Sequence, residues 1–235
     1  MSAERPTLDI EVWFDFICPW CLIGKRNLAV ALEQLRETQP NVDCRIRWRS
    51  LPLLPDIPAA GVPYRDFYLR RLGSPEAVAA RRMQVQAAAH AAGFEIPFDR
   101  LEVMPSTLAA HRLVAAAEAN NLDVAGLVDA FFTAYFMDAS NIGDPAVLTR
   151  IGVDAGLDAG TVAAYLAANG TSRAPPPQPL DHGVPFFVFG GLVAVAGAQA
   201  PVTLLAAARK ALTHSKNTFA GARTRRHATD GVRDG

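Results

Sequence analysis

Two cysteines stand three positions apart in the run Cys18-Pro19-Trp20-Cys21, at the end of an apolar segment and the start of a helical pattern. Thiols at this spacing on a strand-to-helix junction have the arrangement that dithiol–disulfide exchange needs. Cys18 falls at or just before the first helical turn, where unpartnered backbone N–H groups and the helix dipole stabilise an anion. The thiolate is the nucleophile. Cys18 therefore reads as the exposed, attacking sulfur. Cys21, one turn further in and more sheltered, reads as the thiol that closes the disulfide. Pro19 suits the first helical position, because it has no N–H to lose and its φ is already near helical.

Other chemistries compete for the same motif. Structural zinc takes four ligands, usually as two closely spaced pairs. This chain has one further cysteine, Cys44, and its histidines (His90, His111, His182, His214, His227) form no short-spaced pair. A disulfide closing so short a loop restrains little of the unfolded chain. Redox work is the favoured reading, with no metal and no cofactor beyond a redox-active Cys18–Cys21 disulfide. Asp15, three residues before Cys18, is a candidate to take a proton from Cys21, although a solvated or capping carboxylate is the preferred reading. His111, near Leu108 and Leu113, reads as a packed or partner-satisfied histidine. Cys44 reads as a buried, inert thiol. Trp20, between the two cysteines, reads as an exposed apolar contact for unfolded polypeptide.

The elements that must position these residues follow from periodicity. Leu8–Ile17 is rich in Ile, Val, Trp and Phe and reads as a buried strand. Pro19 to about Glu37 reads as a helix. Asp43–Leu53 reads as a second strand, with Cys44, Ile46, Trp48 and Ser50 on one face and Arg45, Arg47 and Arg49 on the other. That alternation implies a face that is partly open or covered by acidic groups. Strand, helix and strand in this order form a βαβ unit with parallel strands and a right-handed crossover.

A Pro-rich connection leads into a helical stretch, about 64–169, with no convincing strand. Five helices are expected there: from Ser74-Pro75 to about Ala92, Ser106 to about Asn120, Val124–Met137, Asp144-Pro145 to near Gly156, and Ala159–Ala168. Phe131, Phe132, Tyr135 and Phe136 follow helical spacing and read as core. Val184–Phe189 and Leu192–Ala196 read as a hairpin joined at Gly190-Gly191, and Pro201–Thr213 as a closing helix. His214–Gly235 is polar and basic and reads as a disordered tail.

Composition sets the outer bounds. The chain has 235 residues, 50% of them hydrophobic, with 23 Lys and Arg against 23 Asp and Glu. A large core is attainable, and nothing in the charge balance suggests a nucleic-acid partner. No apolar run reaches the ~20 residues of a membrane span. The N-terminus shows no secretory signal pattern, so the expected compartment is the cytoplasm, where a CxxC is more often a working redox pair than a permanent crosslink.

The order strand, CxxC helix, strand, helical insertion, Gly-Val-Pro strand, hairpin and helix resembles the DsbA-like branch of the thioredoxin superfamily, and FrnE-like proteins within it. The resemblance rests on Asp15-Phe16-Ile17-Cys18-Pro19-Trp20-Cys21, Ala109-Ala110-His111-Arg112-Leu113, Gly183-Val184-Pro185-Phe186-Phe187-Val188-Phe189 and Ala196-Gly197-Ala198-Gln199. It implies an α/β thioredoxin-like fold with an inserted helical subdomain, divided as follows: a lead-in at 1–7, the thioredoxin-like part at 8–60 and 171–213, the insertion at 61–170, and a tail at 214–235. It also implies thiol–disulfide oxidoreductase or disulfide isomerase activity and a cis Pro185 facing the CxxC. Trp20, Val184 and Pro185 would contact substrate, and the partners would be protein thiols or disulfides, or small thiols such as glutathione. One departure stands out. Ala174-Pro175-Pro176-Pro177-Gln178-Pro179 cannot form the helix expected before Gly-Val-Pro, because each interior proline costs ~3 kcal/mol. Two alternatives remain beside the main reading: a glutathione-dependent isomerase or transferase of the hydroxychromene-carboxylate type, which would not use a cysteine pair, and a non-catalytic module binding through the groove near Trp20.

Overall fold

The structure, a computed structural model, describes residues 5–167 and 183–214. The Pro-rich run at 174–179 and nearly all of the expected tail lie outside the described residues. A four-stranded sheet forms the centre, in the order β2-β1-β5-β6. Its strands are β1 (Thr7–Phe14), β2 (Asp43–Ser50), β5 (Phe186–Phe189) and β6 (Val193–Ala196). β1 and β2 run parallel, joined by α1 (Pro19–Thr38), while β5 pairs antiparallel with β1 and β6 antiparallel with β5. This is the expected thioredoxin-like sheet. β1 starts at Thr7, inside the expected lead-in, and the closing helix spans 201–214, one residue into the expected tail.

β1, expected as a buried strand over Leu8–Ile17, is buried on one face and ends at Phe14. Leu8, Ile10, Val12 and Phe14 face the core, while Asp9, Glu11 and Trp13 on the other face are partly exposed. The reason is the arginine row of β2. Arg45 Nε lies 2.6 Å from Asp9 Oδ1, Arg47 Nε 3.6 Å from the same oxygen, and Arg49 Nε 3.0 Å from Glu11 Oε1. The arginine alternation is thus covered by acidic groups of the neighbouring strand. Cys44 corrects its expectation, because it is exposed. β2 is an edge strand. Burial on that face is complete only at Trp48, whose ring stands 5.3 Å from Phe14, and the start of the strand is left open.

The segment between β2 and β5 holds six described α-helices rather than five: α2 (Tyr64–Leu72), α3 (Pro75–Ala91), α4 (Leu108–Ala119), α5 (Val124–Phe136), α6 (Pro145–Asp154) and α7 (Ala159–Ala167). Ser74, Asp123 and Asp144 cap α3, α5 and α6 with their side chains. α2 has Pro63 at its N-cap and no side-chain cap hydrogen bond, so Asp66 in the first turn is a weak start signal without a capping residue. The segment also holds a strand pair. β3 (Val62–Pro63) and β4 (Val103–Met104) run antiparallel, each too short for periodicity to register. Phe131, Phe132, Tyr135 and Phe136 are buried in the core as expected. Among the described residues, no helix is long and apolar enough to cross a membrane.

Candidate functional site

β1 ends at Phe14, and a tight turn carries the chain into α1. The Cys18 N–H donates to the Asp15 carbonyl at 3.1 Å, and the Cys18 carbonyl accepts from the Cys21 N–H at 2.9 Å. Cys18 is the N-cap of α1, with Pro19 in the first turn and no side-chain cap hydrogen bond. Its sulfur therefore stands at the N-terminus of α1, where the helix leaves N–H groups unpaired. Both cysteines are free thiols. Contrary to expectation, Cys18 is not an exposed residue. It is 7% exposed and Cys21 2%, but Cys18 lines a cavity of about 480 Å³ and Cys21 does not. Access thus separates the two sulfurs where surface area hardly does. Burial pushes the Cys21 thiol well up, helped by a hydrogen bond with the Cys18 sulfur and by its charge.

Sheet topology brings the second part of the site. β5 pairs with β1 so that Phe186 opposes Trp13, which delivers the residues just before β5 to the CxxC end of the sheet. The Val184–Pro185 bond is cis, as the resemblance implied. Cys18 Sγ lies 3.8 Å from the Val184 carbonyl oxygen. The Pro185 carbonyl accepts from the Gly197 N–H at 2.8 Å, and Asn27 Nδ2 donates to the Gln199 carbonyl at 2.9 Å. Both loops are so braced against each other and against α1. A Cβ at Gly24 would stand 3.0 Å from Pro185 Cγ and 3.1 Å from Phe187 Cζ, so glycine lets α1 approach this closely.

Asp15 is neither solvated nor capping. It is fully buried at 0% exposure. Its Oδ2 accepts from the Leu53 N–H at 2.7 Å, and its Oδ1 lies 3.1 Å from His111 Nε2. Buried carboxylates persist only when hydrogen-bonded or paired, and these two groups meet that condition. The His111 ring packs 4.8 Å from Phe16 and 5.2 Å from Phe14. Its Nδ1 is buried without a hydrogen-bond partner. The arrangement fits the tautomer with the proton on Nε2, which donates to the carboxylate. His111 is therefore partner-satisfied at Nε2, as expected, but its partner is the carboxylate three residues before Cys18.

The cavity beside Cys18 is walled by Trp20, which the sequence reading singled out, and by residues of α2 and α3 that it did not. α1 contributes Trp20, α2 contributes Tyr64, Phe67, Tyr68 and Arg71, and α3 contributes Arg81, Arg82 and Val85. Trp20 corrects its expectation too: it is half-buried, with the Arg81 guanidinium 5.4 Å from its ring centre. Burial is the main cause pushing the Tyr64 and Tyr68 hydroxyls up. The available signal for this wall was the Arg and Tyr content of 64–82, without a periodicity that pointed at Cys18. Among the described residues, no cluster of three or more His, Cys, Asp or Glu is placed to hold a metal ion.

With this geometry in hand, the chain belongs to the DSBA-like thioredoxin domain family, whose sequence pattern matches residues 9–173. It is similar to an uncharacterized protein of Bacillus subtilis (strain 168), YwbO, with 27% identity over 201 residues, covering 80% of this chain and 89% of that protein. Among solved structures it is similar to one described as a probable DsbA oxidoreductase from Streptomyces coelicolor. The TM-score is 0.77 and the identity 29%, over 88% of this chain and 90% of that one. A 2-hydroxychromene-2-carboxylate isomerase shares the fold at 15% identity and a TM-score of 0.57, over 90% of this chain and 98% of that one. The family match and the fold place the chain among DsbA-like thiol oxidoreductases.

Proposed function

We propose that the chain exchanges thiols and disulfides with cysteines of polypeptide substrates, through Cys18 and Cys21. The Cys18 thiolate attacks one sulfur of a substrate disulfide. A Cys18–substrate S–S bond forms, the substrate bond breaks, and the departing substrate thiolate takes up a proton. Cys21, deprotonated, then attacks the Cys18 sulfur, and the second substrate thiol leaves. The substrate disulfide is reduced by two electrons, and Cys18–Cys21 becomes a disulfide. The reverse sequence oxidises a substrate dithiol. Asp15 is our candidate for accepting the Cys21 proton. Trp20, Val184 and Pro185 are our candidates for contacting the substrate chain, Pro185 because it presents no backbone N–H there.

The observation that carries this reading is the position of Cys18, at the N-terminus of α1 and on the cavity wall, with Cys21 buried one turn behind. A glutathione-dependent isomerase would not require this pair, and a binding module would not require sulfur. Insulin reduction with dithiothreitol as electron donor, compared between wild type and Cys18→Ser, tests it. Catalysis by wild type that disappears in the variant is expected; equal rates would overturn the proposal.

A further inference from the structure

The cavity beside Cys18 has a charge that the composition of the chain does not. Over the whole sequence, Lys and Arg balance Asp and Glu, 23 against 23. The cavity wall carries three guanidinium groups, those of Arg71, Arg81 and Arg82, and no carboxylate. Among the described residues, Arg71 and Arg81 have no ion pair. Arg82 has Asp99 at 3.0 Å, while its own Nε is buried without a partner.

These groups are also held in place. Arg81 lies 5.4 Å from the centre of the Trp20 ring, Arg71 6.0 Å from that of Phe67, and Arg82 5.5 Å from that of Tyr64. Stacking on a ring fixes the plane of a guanidinium. Arg81 Nη1 donates to Gln84 Oε1 at 2.8 Å and Arg82 Nη1 to Asp99 Oδ1 at 3.0 Å, which leaves their remaining N–H groups, and those of Arg71, to donate to carboxylates. The same stacking sets the Arg81 cation over the indole of Trp20, so the mostly apolar wall beside Cys18 carries positive charge at these three positions.

We infer that this cavity recognises acidic polypeptide, selecting cysteines flanked by Asp or Glu, with Arg71, Arg81 and Arg82 as the specificity-determining residues. The inference rests on the thiol-exchange reading above. Charge complementarity sets the sign of the occupant. The spread of the three cations over two helices, α2 and α3, calls for several carboxylates along an extended segment. At about 480 Å³ the cavity has room for a few side chains beside the reacting cysteine, within the size range of ordinary ligand clefts.

The test uses the reduced full-length chain and two peptides of equal length. Each carries one cysteine capped as a disulfide with 2-mercaptoethanol, flanked by glutamates in one peptide and lysines in the other. The glutamate peptide should react about tenfold faster or more, because a cleft lined by one sign of charge raises the rate of encounter by that order. The preference should shrink in high salt. In the doubly substituted Arg71→Gln, Arg81→Gln protein, checked for folding by circular dichroism, the glutamate rate should fall to that of the lysine peptide. Arg71→Lys, Arg81→Lys should recover part of the preference. Equal rates for the two peptides in wild type, or a preference untouched by the double substitution, would overturn the inference. So would competition by micromolar oxidised glutathione where a glutamate-rich peptide without cysteine fails to compete, since the site would then be one for a small thiol. Bis(2-hydroxyethyl) disulfide, which is uncharged, separates the two readings. No reaction with it would sink the exchange chemistry itself, whereas reaction with it but no charge preference would sink only the cavity assignment.

Discussion

His111 Nε2 lies 3.1 Å from Asp15 Oδ1, and both side chains are shut away from solvent. The contact joins α4 of the helical insertion to the turn that carries Cys18, across 96 residues of sequence. Removing the imidazole would leave a buried carboxylate held only by the Leu53 N–H, and would open a gap between Phe14 and Phe16. Losing a neutral donor to a buried carboxylate costs roughly 1.5–3 kcal/mol. His111→Ala should lose about that much stability in urea denaturation of the reduced protein. His111→Gln, whose amide can still donate, should lose roughly half as much. A His111→Ala protein as stable as wild type would mean that the pair contributes nothing.

Stability of the reduced protein should fall in alkali. Cys21 is pushed well above its ordinary value of 9.0, by burial first and then by the Cys18 sulfur. Tyr64, Tyr68 and Tyr135 are pushed above 10.0, again mainly by burial. All four are groups whose folded pKa is raised. The unfolded chain releases their protons first, so above that point it binds fewer protons than the folded one, and stability declines with pH. The contribution is complete below about pH 9 and is lost as pH rises beyond it. The urea midpoint should therefore drop between about pH 8 and about pH 10.5, and oxidation of Cys18–Cys21 should remove the earliest part of the drop. A flat or rising profile would contradict this.

The contrast between Asp15 and Cys18 shows what the sequence could reveal. Cys18 was legible because its role depends on local features: a strand end, a proline at the first helical position, and a second thiol one turn on. The same holds for the starts of α3 and α6, where Ser74-Pro75 and Asp144-Pro145 carry cap and first-turn signals together. Asp15 was not legible as a buried group. Its burial depends on a backbone N–H 38 residues away and an imidazole 96 residues away, and neither has a local signature. The cavity arginines fail for the same reason, since only the packing of α2 and α3 over the N-terminus of α1 brings them beside Cys18. Pro185 is a third case. Its position followed from the resemblance, while the physical cause is the antiparallel pairing of β5 with β1.

Cys44 should take no part in exchange, despite being exposed. It opposes Leu8 near the start of β1, whereas the active-site turn follows Phe14 at the other end of that strand. A maleimide should label Cys44 in the folded protein whether or not Cys18 and Cys21 are oxidised. Cys44→Ala should remove that label and keep the insulin-reduction rate of wild type. A large loss of rate in a folded Cys44→Ala protein would show that the two ends of the sheet are coupled.

The order of the two sulfurs gives the most direct test of the site. Cys18 lines the cavity and stands at the N-terminus of α1, where an incoming disulfide can reach it. Cys21 is 2% exposed, lies off the cavity wall, and holds its proton more tightly than a free thiol. On the proposed exchange, attack begins at Cys18, and Cys21 acts only after Cys18 has become part of a mixed disulfide. In Cys21→Ser the first step still runs and the second cannot, so mixed disulfides with client polypeptides should accumulate on non-reducing gels and collapse with dithiothreitol. In Cys18→Ser neither step runs, and no adducts should form. Brief alkylation of reduced wild type should modify Cys18 ahead of Cys21, as read by peptide mass spectrometry. Adducts on Cys18→Ser and none on Cys21→Ser would assign the attack to Cys21 and require a path to its sulfur that the packing of α1 against the sheet does not provide.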